Sequence, residues 1–270
     1  MFLHIPKTAG ISFRRMLKFK ILLNHPRSLV NINLALGLFR TPQLSQRLIE
    51  LSRLDENQRT RIHYVEGHLG YGVDDIIRRK TRSLTILRNP VDRAKSTYHH
   101  LQRPDVKTRH GVPDLGLVEL VSLKKAWGAA HYFDNCQVRY LAGHKGKPVL
   151  VPFGKCTRSM LEKAKERVEQ ITFVGLTEFY EESVALLCHI LGWSFAPVIH
   201  ANRSREMGND EPLTPSEASL LEEINELDLE LYGFAQARFR RDIEGATHRI
   251  KLLIKRNRAF SRVLAPLIRP

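Results

Sequence analysis

The chain opens with a short apolar run, Phe2–Ile5, that leads directly into Pro6-Lys7-Thr8-Ala9-Gly10 and then into a stretch with helical periodicity. In Ser12–Phe19 the apolar residues Phe13, Met16 and Leu17 recur at helical spacing, while Arg14, Arg15 and Lys18 take the other side. A buried strand, a loop of small residues and a helix thus follow in immediate succession. No other feature constrains the fold as much. A strand that hands over to a helix through a tight loop is half of a βαβ unit, and such units build parallel sheets.

The rest of the chain repeats the alternation. Arg61–Val65, Ser83–Leu87 and Ile171–Val174 read as further strands, and Pro90 stands in the first turn of a helix that follows Arg88-Asn89. Leu115–Trp127, His131–Leu141 and Glu178–Leu191 read as helices, residues 29–59 as helical insertions and Ala196–Pro212 as a polar loop. Pro215–Arg241 reads as one long amphipathic helix, with Thr214 and Glu217 at the two positions of a capping box. Ala246–Ile268 reads as a basic amphipathic helix. The expected fold is α/β, a mostly parallel central sheet with helices on both faces, giving three layers and a helical C-terminal extension. With 270 residues, 43% of them hydrophobic, one core suffices. The expected division is one domain over 1–245 and the basic helix over 246–270.

In parallel α/β sheets, ligands bind beyond the carboxyl ends of the strands. Three strands end at Lys7, His68 and Arg88. The first loop aims backbone N–H groups and a helix N-terminus at one point, which makes an anion site. Gly10 and Ala9 permit close approach, Lys7 brings a charge, and Thr8 and Ser12 bring hydroxyls. The lysine precedes the glycine, so this is not a Walker A loop; an ordinary βα turn satisfies the same spacing. Arg88 offers a planar fork suited to a phosphate. Ser96, two turns into the next helix, can donate to the same anion. Arg93 either joins them or pairs with Asp92 or another acid. His68 titrates near neutrality and can act as a base, or be a histidine held by loop hydrogen bonds. Glu66 is the alternative base. His63 falls on the opposite side of the strand from His68.

His4-Ile5-Pro6-Lys7-Thr8-Ala9-Gly10 resembles the 5′-phosphosulfate loop of carbohydrate sulfotransferases, in particular the group of the heparan sulfate 2-O-sulfotransferases and related bacterial proteins. Arg88-Asn89-Pro90, Arg93, Ser96 and Tyr98 are similar to that family's 3′-phosphate element, and Gly67-His68 with Tyr71 to the element carrying its catalytic base. The resemblance runs in order from Phe2 to Phe239. It implies a P-loop-like fold and 3′-phosphoadenosine-5′-phosphosulfate (PAPS) as sulfuryl donor, with no metal. It also implies a carbohydrate hydroxyl as acceptor. By that resemblance the donor's 5′ end lies along Lys7, Thr8, Ala9, Gly10, Ile11, Ser12 and Phe13, with its 3′-phosphate on Arg88 and Ser96. Lys7 also faces the scissile bond, and His68 is the base. Position 11 is commonly threonine in that loop. Ile11 removes one hydroxyl, so weaker donor binding is expected. Asn135 and Arg139 lie in a further family-like segment, where they touch acceptor or cofactor, or tie helices together. Val174–Glu178 and the Asp228, Leu231, Tyr232 group read as packing.

The net charge is +15, which favours polyanions as partners. It is uneven: Arg240–Pro270 holds nine Lys/Arg against Asp242 and Glu244. Nucleic acid is not expected as a partner. A non-catalytic polyanion-binding module and an ATP-dependent phosphotransferase using the first loop are the competing readings. Three well-separated cysteines match neither zinc spacing nor a disulfide framework. There is neither a bilayer-length apolar stretch nor a signal-peptide pattern, so the expected location is cytoplasmic. The last helix, with Ile250, Leu253, Ile254, Phe260, Leu264 and Leu267 as its stripe, is a packing helix, a contact with an acidic membrane surface, or a contact with an anionic glycan.

Overall fold

The structure is a computed structural model that describes residues 1–24, 31–34, 48–62, 64–78, 80–110, 112–126, 132–199 and 212–268. Its centre is a five-stranded sheet: β1 (Phe2–Leu3), β2 (Asn31–Leu34), β3 (Tyr64–Gly67), β4 (Leu84–Leu87) and β5 (Phe173–Leu176). The strand order is β2-β3-β1-β4-β5 and every pairing is parallel. β1 is central, with Phe2 opposite Glu66 on one side and Leu84 on the other. Parallel strands are covered on both faces and so read as unbroken apolar runs. Accordingly β1, β3, β4 and β5 are buried at every position.

Helices cover the sheet: α1 (Gly10–Asn24), α2 (Glu56–Thr60), α3 (Val73–Ile77), α4 (Pro90–Leu101), α5 (Pro104–His110), α6 (Leu117–Ala126), α7 (Cys136–Leu141), α8 (Arg158–Gln170), α9 (Tyr180–Leu191), α10 (Pro215–Glu223), α11 (Glu226–Glu244) and α12 (Thr247–Ile268). The Phe13 ring of α1 stacks on Phe173 of β5 and tilts against Phe2 of β1, joining helix to sheet. α9 lies on β5 and carries α12 on its far side. A second, smaller core, including Leu101, Leu120, Phe133 and Leu221, sits where α4, α6 and α10 meet. The α/β fold with a parallel sheet and helical layers is therefore the observed one.

The differences from the sequence expectation have local causes. Residues 31–34 form the edge strand β2 inside the segment expected to be helical; four residues of alternating Asn and apolar residues are too few for periodicity to separate strand from helix. The helix expected from His131 is α7, which begins at Cys136, because Asn135 takes a left-handed conformation (φ 45°). His131 itself, with Trp127, His63 and most of the expected 196–212 loop, lies outside the described residues. The long helix expected over 215–241 is two helices, α10 and α11. Asn225 is buried at the junction, its amide donating to the Leu221 carbonyl and its oxygen accepting from Asn135 N–H. The Thr214–Glu217 capping box is present as read.

Around α7 the packing is polar and closed. Both Asp228 carboxylate oxygens accept from its first turn, from Gln137 N–H at 2.9 Å and Val138 N–H at 2.7 Å. Arg139 is buried against Asp134, and it also donates to the Asp134 and Val151 carbonyls at 2.7 Å each. Asn135 and Arg139 thus tie this region together, the structural alternative for both. Removing one partner of a buried pair strands a charge. Arg139→Met is expected to cost about 3–5 kcal/mol in urea denaturation. Arg241→Met, at an exposed pair with Glu169, should cost less than about 1 kcal/mol.

Candidate active site

Because β3, β1 and β4 are neighbours, the residues that leave their carboxyl ends emerge side by side. From β1 the chain crosses to the edge strand β2, returns to β3 beside β1, and then crosses past β1 to β4 and β5 on the other side, so the direction of crossing reverses next to β1, where α/β sheets open a ligand crevice. Lys7, His68 and Arg88 all leave the sheet at this edge.

The loop after β1 is bent sharply. Lys7 and Ala9 have positive φ (69° and 57°), a conformation that costs non-glycine residues about 1–3 kcal/mol. Thr8 is fully buried and its hydroxyl donates to the Ile5 carbonyl at 2.9 Å, closing the turn. Gly10 begins α1, and a Cβ there would fall inside the His4 imidazole. The ring of His4, buried between Phe2 and His68, therefore demands the glycine, besides any close approach of a ligand. Ile11 is 39% exposed in the first turn, with Ser12 buried behind it. Phe13 belongs to the core, and its N–H is bonded to the Ala9 carbonyl. It anchors α1 and is removed from the residues that could line a ligand.

Burial, followed by the charges of Arg88 and Arg103, pushes the Lys7 ammonium down to about 8. Arg88 donates from its guanidinium to the Lys7 carbonyl at 3.3 Å. Its own main chain is held at both groups by one side chain: Gln137 accepts from Arg88 N–H at 3.0 Å and donates to Arg88 C=O at 2.9 Å. Next in the chain, Asn89 donates its N–H to Glu178 at 2.7 Å, and Glu178 in turn accepts from the Tyr232 hydroxyl at 2.6 Å. Asn89 also caps α4, accepting from Val91 and Asp92 N–H. Arg93 turns inward, fully buried, and donates to the Tyr132 carbonyl at 2.8 Å rather than to Asp92. Ser96 is half-buried two turns along α4.

His68 is half-buried, and its Nδ1 lies 2.8 Å from the His4 carbonyl oxygen. A carbonyl can only accept, so Nδ1 carries the proton and Nε2 keeps the lone pair. Burial lowers the pKa to about 4 despite the hydrogen bond from Nδ1. The ring is neutral at pH 7 and presents a basic nitrogen. Glu66, the alternative base, is buried on the α1 side. It pairs with Lys18 at 2.8 Å and accepts from Tyr64 OH at 2.7 Å, so its charge is already matched.

Gln137, Glu178, Tyr232 and Arg103 escaped the sequence reading as site components. Gln137 lies in the Asn135–Gly143 segment, whose signal was its neighbours Asn135 and Arg139. Among the described residues no cluster of three His, Cys, Asp or Glu side chains could hold a metal ion, and no carboxylate pairs with Lys7 or Arg88. The two cations and the N-terminus of α1 thus bring positive charge and N–H donors to one edge of the sheet.

No protein-family model matches the chain. It resembles heparan-sulfate sulfotransferases. It is 29% identical to heparan-sulfate 6-O-sulfotransferase 1 of Gallus gallus over 187 residues, 58% of this chain and 43% of that protein. Identity to the Homo sapiens 6-O-sulfotransferase 1 is 28% over 182 residues, 60% of this chain and 44% of the relative. With heparan-sulfate 6-O-sulfotransferase 3 of Mus musculus the match extends to 275 residues at 28%, covering 88% of this chain and 57% of the relative. The chain thus spans about half the length of the curated relatives it matches. Their names support the carbohydrate sulfotransferase class, not the 2-O group that the loop motifs resemble.

The tautomer is open to direct measurement. ¹⁵N chemical shifts should show His68 protonated at Nδ1 alone at pH 7 and titrating well below 6.5, at about 4. A protonated Nε2 at neutral pH would remove His68 as a base.

Proposed function

We propose that the chain is a sulfotransferase that moves a sulfuryl group from PAPS to a hydroxyl of a carbohydrate. The observation that carries this reading is the placing of Lys7 and Arg88 at the ends of β1 and β4, two substantially buried cations outside any ion pair among the described residues, of which only Arg88 feels nearby acids, Asp92 and Glu178. Burying unpaired charge is costly, and a bound anion relieves that cost. The site suits a donor with two anionic ends. Lys7 and the first N–H groups of α1 take the phosphosulfate, while the fork of Arg88 takes the 3′-phosphate. That assignment gives Arg88 the task of distinguishing this nucleotide from AMP or ATP. Ser96 supports the same end, as the family resemblance implies.

The donor supplies an activated sulfuryl group whose bond to the phosphate breaks as the acceptor oxygen bonds to sulfur. His68 takes the acceptor's proton at Nε2, and its Nδ1–H holds the ring against the His4 carbonyl throughout. Lys7 offsets the negative charge that gathers on the departing phosphate oxygen. Stabilisation of this kind acts strongly where water is excluded. Gln137 and Glu178 touch neither reactant in this scheme. They fix the Arg88-Asn89 main chain and so are positioning residues.

Calorimetry with adenosine 3′,5′-bisphosphate tests the donor. Wild type should bind it well and AMP poorly, and Arg88→Ala should lose about tenfold to a hundredfold in affinity. Equal binding of AMP would overturn the reading. The pH dependence follows from Lys7, whose lowered pKa means that its charge disappears as pH rises through about 8. Bisphosphate affinity should therefore weaken above that pH, and binding near it should take up protons because the anion restores the ammonium. His68→Ala should lower turnover on an acceptor glycan by about 10²–10⁴-fold with bisphosphate affinity unchanged; a loss below tenfold would dismiss it as the base.

A further inference from the structure

We propose that α12 is a docking face for an anionic lipid surface, on which the protein lies without crossing the bilayer. Three sides of this helix can be told apart, since successive residues advance about 100°. One side packs inward. Ile250 and Leu253 enter the main core, Asn257 accepts from Ala196 N–H at 2.8 Å, and Ser261 accepts from Val198 N–H at 2.8 Å. The side facing away carries Leu252, Ala259 and Val263, all exposed, Leu252 by 38% and Val263 by 72%.

Cations flank that apolar stripe on both edges. Lys251, Lys255 and Arg262 follow one edge, and Arg249 and Arg256 the other; all five are exposed. Among the described residues none of the five has an acidic partner, in contrast to Arg258, which reaches Glu181 at 2.6 Å. Next to the stripe, Ser194, Phe195, Arg256, Ala259, Phe260 and Val263 line an open groove of about 440 Å³. Its floor is aromatic, with the Phe195 and Phe260 rings tilted against each other at a centroid distance of 4.1 Å and the Lys20 ammonium 4.2 Å above the Phe195 ring.

This arrangement ranks the partners that the sequence leaves open. A sulfated glycan would use the cations and could lay a sugar face on the aromatic groove, but it gains nothing from the exposed aliphatic stripe of Leu252 and Val263. A helix that lies in a bilayer interface needs both: apolar side chains that enter the acyl boundary, and cations beside them at headgroup level. No helix among the described residues is long and apolar enough to cross a membrane. The face is also remote from the candidate site. The groove adjoins Phe19 and Lys20 of α1, roughly 15 Å along that helix from Gly10 at about 1.5 Å per residue.

The test is co-sedimentation with vesicles of phosphatidylcholine alone and of phosphatidylcholine mixed with phosphatidylserine, alongside binding to immobilised heparin. Two variants are compared with wild type: Leu252→Asp/Val263→Asp, and Lys251→Glu/Lys255→Glu/Arg262→Glu. All five positions are exposed, so thermal midpoints should stay close to wild type. Wild type should bind the serine-containing vesicles and not the neutral ones. The apolar variant should lose at least about tenfold in vesicle partitioning while keeping heparin binding, and the charge variant should lose vesicle binding as well. The proposal is overturned if wild type ignores the anionic vesicles, if the apolar variant binds them as wild type does, or if the stripe instead drives self-association seen by analytical ultracentrifugation. None of these outcomes depends on PAPS turnover.

Discussion

Lys7 and Arg88 leave adjacent parallel strands and converge at their carboxyl ends, so the charge of Arg88 helps to hold the Lys7 ammonium below its ordinary value. The pair repels itself and sits largely out of water; Asp92 and Glu178 offset part of the charge of Arg88, and no acid does so for Lys7. Much of the surrounding structure makes sense as what is needed to hold it there. The loop after β1 accepts two non-glycine residues with positive φ and a glycine forced by the His4 ring. The β4–α4 turn is pinned by Gln137 through both main-chain groups of Arg88. Two cations gathered out of water on a strained loop must be stabilised elsewhere.

That support comes from α7 and α11. Asp228 of α11 occupies the N-terminus of α7 with two charge-assisted hydrogen bonds, and so sets the position of Gln137. Burial raises the Asp228 carboxyl, against the opposing effect of Arg93 and the two N–H donors. One turn further along α11, Tyr232 steadies Glu178, which holds Asn89. A single helix thus reaches the Arg88 turn by two independent routes. Both are short, but only the Asp228 route is buried, the condition under which a hydrogen bond is worth most and its loss costs most; Glu178 is exposed.

The sequence shows the βα handovers because parallel strands and amphipathic helices leave strong periodic marks, and Lys7, His68 and Arg88 stand where those marks change. It hides what depends on contacts between distant segments. Gln137 meets Arg88 across 49 positions, and nothing local to Gln137 distinguishes it from a surface residue. Asn225 looks like one more polar residue in a long helix until its hydrogen bonds to Leu221 and Asn135 show it to be a break. Phe13 illustrates the opposite error. It lies within a recognisable loop motif, yet its ring belongs to the core, because helical periodicity and motif membership assign the same residue to different surroundings. Glu66 is similar: strand alternation alone does not reveal that Lys18 and Tyr64 already engage its carboxylate.

The net charge of +15 is one number covering two physically different populations. At the sheet edge the cations are few and sheltered, so they act over short range on whatever enters and are little screened by salt. On α12 they are exposed, spaced along a helix and screened within a Debye length of about 8 Å at physiological ionic strength. Exposed charges of that kind attract any polyanion and select poorly among them. Discrimination on α12 therefore has to come from the uncharged part of the face, Leu252, Ala259 and Val263, which only a partner with an apolar interior can use. At the sheet edge discrimination rests instead on fixed donors, with the Arg88 main chain held still before any ligand arrives. Positive charge alone would attract anions to both places, and on the readings proposed it is the neighbouring structure, apolar or rigid, that would decide which partner stays.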